Sequence, residues 1–167
     1  MLRIITDSAA DFEPKDLEKL NIFCAPIAVS FGDTEYRENV DITKDRFYEL
    51  LQSFDKSPTT SQPSPAYYTE VMEEAQKNGN DCLVITLSSA LSGTYQTVNL
   101  IKQTLEYENC FVFDSLSATA GQRILVAVAV SMREQGKSLS EIVSELEVLR
   151  SKISIIACID TLEYLHK

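Results

Sequence analysis

Five short apolar runs punctuate this chain, at residues 2–6, 23–31, 82–87, 110–113 and 153–159, and patterned helical segments separate most of them. Strands that alternate with helices cannot pair as tight hairpins. They predict a parallel sheet covered on both faces, a three-layer α/β/α fold with a mainly parallel sheet. The helical segments fall at 13–20, 43–52, 65–78, 92–106, from about 117 or 119 to 136, 138–151 and 161–167. Several carry terminal signals: Pro14 and Pro65 suit first turns, Asp41 or Thr43 suits a cap, Gly79 a stop, and Ser138 with Glu141 forms a capping-box pair. Val98, Ile101 and Leu105 make one apolar stripe, and Phe47, Leu50 and Leu51 another. Ser117 or Thr119 is expected to cap the helix that follows. Its centre, 124–130, is apolar on all sides and is expected to be buried. Gly32-Asp33 turns the second run into a short polar arm at 35–37, and 57–65, with Pro58, Pro63 and Pro65, reads as a loop.

A chain of 167 residues can bury a core without disulfide or metal support. Its formal net charge of -10 argues against nucleic acid and against an anionic membrane surface. Cys24, Cys82, Cys110 and Cys158 each lie in an apolar run with no C-x-x-C spacing, so they are expected to be buried strand residues in a reducing compartment. The amino terminus reaches Asp7 without a long apolar stretch and does not read as a secretory signal, and the longest apolar run is too short to span a bilayer. A cytoplasmic location is the expectation.

In open α/β sheets ligands bind at the carboxyl ends of the strands. Thr6-Asp7-Ser8, Ser88-Ser89 and Asp114-Ser115 all fall there. Two segments carry the most chemistry. Leu87-Ser88-Ser89-Ala90-Leu91-Ser92-Gly93-Thr94-Tyr95 joins a strand to a helix. Ser92 is placed as its N-cap, the following amides are free to attract a carboxylate or phosphate, and Gly93 lets a ligand approach. Thr59-Thr60-Ser61-Gln62-Pro63-Ser64-Pro65 is a stiffened run of hydroxyls that also leads into a helix. Hydroxyls at such junctions are most often plain caps, and that reading stands beside the ligand one.

Enzyme chemistry is poorly supplied. The one histidine is His166. Neither G-x-S-x-G nor G-x-x-x-x-G-K-[ST] occurs, and no cysteine, histidine and carboxylate cluster suggests a metal.

Ile5-Thr6-Asp7-Ser8, Thr60-Ser61-Gln62-Pro63-Ser64, Ser88-Ser89, Ser92-Gly93-Thr94-Tyr95, Asp114-Ser115 and Thr161-Leu162-Glu163-Tyr164-Leu165 occur in this order along the whole chain. In that set the sequence resembles the DegV family, which includes fatty-acid-binding partners of a bacterial fatty acid kinase. The resemblance implies a non-catalytic lipid carrier without a cofactor. Its ligand would be a long-chain fatty acid such as palmitate, presented to a separate fatty acid kinase that phosphorylates the carboxylate. It places the carboxylate on Thr60 and Ser92, with Ser61, Gly93 and Thr94 as weaker candidates, and leaves Asp7, Ser8, Asp114 and Ser115 to organise the strand ends. Family members are longer. Residues 1–160 would be the N-terminal α/β domain, and 161–167 the start of a connection to a second domain that this sequence lacks. Neither chemistry-bearing segment holds a Lys or Arg, so a cationic or imidazole partner for the carboxylate is expected from that second domain. The alternative is a truncated α/β interaction module that binds no lipid on its own.

Overall fold

The computed structural model describes residues 1–54, 56–156 and 158. Four parallel strands form the main sheet: β1 (Leu2–Asp7), β2 (Ile22–Ala25), β6 (Asp81–Thr86) and β7 (Cys110–Asp114), in the order β2-β1-β6-β7. The chain leaves β1 first to one side and later returns to the other. The boundary between β1 and β6 is therefore the switch point, where an open sheet leaves a crevice above its carboxyl ends.

Helices cover both faces. On one side α1 (Pro14–Lys19), α5 (Thr119–Glu134) and α6 (Leu139–Arg150) enclose Ile4, Leu83, Ile85, Phe113, Leu125, Val126, Ile142 and Leu146. On the other, α3 (Pro65–Lys77) and α4 (Thr94–Thr104) enclose Ile5, Val84, Tyr68, Met72, Val98 and Val112. Successive strand residues feed opposite cores, which is why these runs are continuously apolar rather than alternating. This is the three-layer α/β/α fold expected from the sequence.

A second unit sits beside the sheet. The run at 23–31 does not form one strand. Pro26 has no amide hydrogen to give a ladder, so the chain breaks there and resumes as β3 (Ala28–Phe31), the middle strand of a separate three-stranded antiparallel sheet. The polar arm is β4 (Thr34–Arg37), and the proline-bearing loop contributes β5 (Thr59–Ser61), with Thr60 opposite Val29. Helix α2 (Lys44–Ser53), capped by the Thr43 hydroxyl, lays Phe47, Leu50 and Leu51 onto Val29 and Phe31 of this small sheet.

Other departures have local causes. The fourth helix starts at Thr94 rather than at 92, and its N-cap residue is Gly93. Neither Ser117 nor Thr119 caps α5; the cap position is Ala118, which has no polar side chain, and Ser117 engages Ser88 and Ser115 through its backbone. The centre of α5 is buried on one side only: Ile124 and Ala127 are exposed while Leu125, Val126, Ala129 and Val130 are enclosed. Residues 153–156 are irregular rather than a fifth strand. The expected helix at 161–167 and His166 lie outside the described residues. Cys82 and Cys110 are buried neighbours on β6 and β7 as expected, but Cys24 is half-buried and Cys158 exposed.

The capping box of α6 is present: Ser138 Oγ accepts from Glu141 N at 3.3 Å and the Ser138 amide donates to Glu141 Oε2 at 2.9 Å. Those bonds, with Lys137 beside them, hold the Glu141 carboxyl at about 2. The lowered value means the box contributes fully above the usual 4.5 and is lost as pH falls toward 2. Amide protection across the first turn of α6, with exchange measured against the intrinsic rate at each pH, should therefore fall through that window while the β6 amides stay protected.

Candidate functional site

At the carboxyl end of β1, Asp7 turns its buried carboxylate across the switch point. Oδ2 accepts from the Leu87 amide at 2.7 Å, and Oδ1 accepts from the Ala9 amide at 3.2 Å and from Gln122 Nε2 at 3.0 Å. Gln122, fully buried on α5, also donates to Thr6 Oγ1 at 3.1 Å. Burial outweighs these donors and raises the Asp7 pKa above its usual value. The adjacent Ser8 hydroxyl accepts from the Ile27 amide at 2.9 Å and donates to Glu38 Oε2 at 2.6 Å. Asp7 and Ser8 thus pin Leu87, beyond β6, and Ile27, in the break between β2 and β3. Asp114 and Ser115 act likewise at the end of β7. Asp114 Oδ1 accepts from the amides of Ser89 and Leu116, and the Ser115 hydroxyl bonds within its own turn.

Leu87 and Ile27 both line a cleft of about 300 Å³, completed by Thr60, Ser61, Gln62, Leu91, Ser92 and Gly93. Thr60, Ser61, Ser92 and Gly93, four of the residues singled out in the sequence, are brought to one opening although the first two come from the small sheet and the others from the loop before α4. Thr94 is not on this wall. It is buried at the start of α4, and its hydroxyl bonds Ser92 Oγ at 2.8 Å. Ser92 Oγ also accepts from the Thr94 amide at 3.2 Å, so one of the helix-end donors is already satisfied from within. Gly93 has an ordinary φ of -75°. The space its side chain would take is closed by Gln62 Oε1, which lies 3.1 Å from an ideal Cβ and accepts from Thr97 Oγ1 at 3.2 Å. A side chain at Gly93 would press on the flexible end of Gln62, which ties its own segment to α4 through Thr97.

Ile27 and Thr60 also border a second, larger cavity of about 430 Å³ between the small sheet and α2, floored by Val29, Ile42 and Phe47. Its rim carries Asp11, Glu38 and Lys44. The Lys44 ammonium sits 2.7 Å from Glu13 Oε1 and 2.9 Å from Asp11 Oδ1, which raise its pKa and commit it to those partners. Among the described residues, the first cleft is lined by no Lys, Arg, His, Asp or Glu. Cys24 is no nucleophile here: burial, with Asp7 and Glu38 nearby, pushes its thiol up to about 12. Among the described residues no group of His, Cys, Asp and Glu is arranged to hold a metal ion, and no helix is long and apolar enough to cross a membrane.

Sequence reasoning missed Ile27, Gln62, Leu87, Leu91 and Glu38. Gln62, Leu87 and Leu91 lay inside the two quoted segments but carried no hydroxyl. Ile27 and Glu38 had no local signal, because their place at the site depends on pairing across the small sheet.

Residues 1–167 match a family model described as an uncharacterised protein of the DegV family. A DegV domain-containing protein of Caldanaerobacter subterraneus is 36% identical over 99% of this chain and 59% of its own length. Among solved structures, a fatty-acid-binding DegV family protein of Thermus thermophilus aligns with a TM-score of 0.82 at 31% identity, over 90% of this chain and 53% of that one. A stearic-acid-binding protein of Eubacterium ventriosum aligns at 0.79 with 33% identity, over 88% of this chain and 52% of that one. The chain spans about half the length of the solved relatives it matches.

Proposed function

The chain belongs to the DegV family, and from that premise we propose that it is a cytoplasmic, non-catalytic carrier of a long-chain fatty acid such as palmitate. The carboxylate rests at the cleft between Thr60 and Ser92, with Ser61 and Gly93 beside it, and the hydrocarbon passes Ile27 into the apolar cavity beneath α2. The observation that carries the reading is the adjacency of these two spaces: a hydroxyl-lined cleft at the switch point and a cavity floored by Val29, Ile42 and Phe47 have Ile27 and Thr60 as lining residues in common. Fatty acids described in solved relatives support the choice of ligand.

The energetics suit such a division. Each buried methylene contributes about 0.8 kcal/mol, so a sixteen-carbon tail offers on the order of 10 kcal/mol before association costs. Hydroxyl hydrogen bonds at about 1 kcal/mol each need only orient the head. A second domain, following a connection that begins at 161–167, supplies the cation that these loops lack. A separate kinase then transfers a phosphoryl group from ATP to the presented carboxylate oxygen, giving an acyl phosphate and ADP.

Lipid extraction tests this directly. The purified protein is denatured and extracted with organic solvent, and the extract is analysed by mass spectrometry. Long-chain acid at near-unit stoichiometry is expected. A folded but empty protein that takes up no added palmitate overturns the reading. It would favour the interaction module, for which Leu91 and Leu116, 70% and 59% exposed on adjoining loops, are the supporting feature.

A further inference from the structure

We infer that Glu38 is a specificity-determining residue of the acyl cavity, a fixed negative charge that rejects ligands bearing a second carboxylate on the tail; this rests on the acyl reading above. Its position is held from two sides. Its amide donates to the Ile27 carbonyl at 2.9 Å. Its carboxylate accepts from Ser8 Oγ, which in turn accepts from the Ile27 amide. Glu38, Ser8 and Ile27 therefore close a ring, and Ile27, with Thr60, lines both spaces.

The charge balance around the cavity leaves Glu38 uncompensated. The other charged residues on the rim are Asp11 and Lys44, and Lys44 is engaged by Asp11 and by Glu13. Among the described residues no Lys or Arg lies within ion-pair range of Glu38. A methyl terminus entering this space meets apolar floor and no electrostatic penalty. A terminal carboxylate loses water and faces a like charge that cannot swing away. The hydroxyl cleft, lined by no acid, carries no such penalty. The arrangement thus fixes which end of the ligand enters, and selects monocarboxylic over α,ω-dicarboxylic acids.

The test uses the delipidated chain with palmitate and with saturated dicarboxylic acids of twelve to sixteen carbons, titrated by displacement of a fluorescent fatty acid. The wild type should prefer palmitate. Glu38→Gln, which keeps an acceptor for Ser8, should narrow that preference about tenfold at the dicarboxylate lengths the wild type rejects most, the order expected for like charges a few ångström apart. The readout is the palmitate-to-dicarboxylate ratio and not palmitate affinity by itself, and added salt should narrow the wild-type ratio but not the variant's. Glu38→Ala should act in the same direction by removing the charge outright. Ser8→Ala, which loosens Ile27 but leaves the charge, should weaken all ligands without changing the ratio. Palmitate binding with an unchanged ratio in both Glu38 variants overturns this inference alone. Failure of the wild type to bind palmitate overturns the acyl reading and the inference together.

Discussion

A twelve-carbon fatty acid should bind this protein roughly 200-fold more weakly than palmitate, because four methylenes at about 0.8 kcal/mol each no longer leave water. The expectation follows from the cavity beneath α2, whose floor of Val29, Ile42 and Phe47 offers dispersion contacts and no polar partner. The head group should matter far less. Ser92→Ala removes one hydroxyl that already spends itself on the Thr94 amide and hydroxyl, so a loss of about fivefold is expected, the equivalent of about 1 kcal/mol. Displacement titrations across a series of saturated acids, on wild type and Ser92→Ala, check both. A flat dependence on chain length would mean that the tail stays outside the protein. A Ser92→Ala loss much larger than the chain-length effect would reverse the assignment of where the affinity comes from.

Asp7→Ala should lower the melting temperature by roughly 6–12 °C. The carboxylate receives three donors, from Ala9, Leu87 and Gln122, and a methyl group leaves them facing a buried site without an acceptor. Each abandoned donor costs about 1–3 kcal/mol. A total near 3 kcal/mol corresponds to that shift for a domain of this size. The pH dependence has a definite sign. Burial raises the Asp7 pKa, so the folded state holds this proton to higher pH than the unfolded chain does. Its contribution to stability is full below 3.8 and declines as pH climbs through the folded value. The gap between wild type and Asp7→Ala in urea midpoint should therefore be widest in acid and narrow toward neutrality. Asp7→Asn, with one acceptor retained, should fall between the two. A variant as stable as wild type would show that Leu87 and Gln122 find other partners.

The two effects are linked through geometry, since Asp7 and Ser8 hold the walls of the cleft as well as the strand end. Loosening Leu87 should widen the opening even where the fold survives.

How much of this was legible beforehand differs by residue. Thr60 and Ser92 could be singled out from hydroxyl-rich junctions and from resemblance, and both do line one cleft. Thr94 stood in the same motif, yet it is buried at the first position of the helix, which begins one residue later than the Ser92 cap signal suggested. Glu38 was one charge in a polar arm, and nothing within its neighbours announced a cavity. Gln122 sat in a helix whose centre looked uniformly apolar, and its amide proved to be the buried partner of Asp7.

The sequence by itself determined the kinds of element and their order: continuous apolar runs between amphipathic helices, the Ser138–Glu141 box, and hence a parallel sheet with two helical faces. Those are statements about residues within a few positions of one another, where period, cap and turn chemistry act. The tertiary structure alone decided that the run at 23–31 breaks at Pro26 and serves two sheets, that Thr60 pairs with Val29, and that Ser8 gathers Ile27 and Glu38. Such choices depend on which distant partner satisfies a backbone amide or buries a side chain best, and that comparison is made between whole packings rather than along the chain.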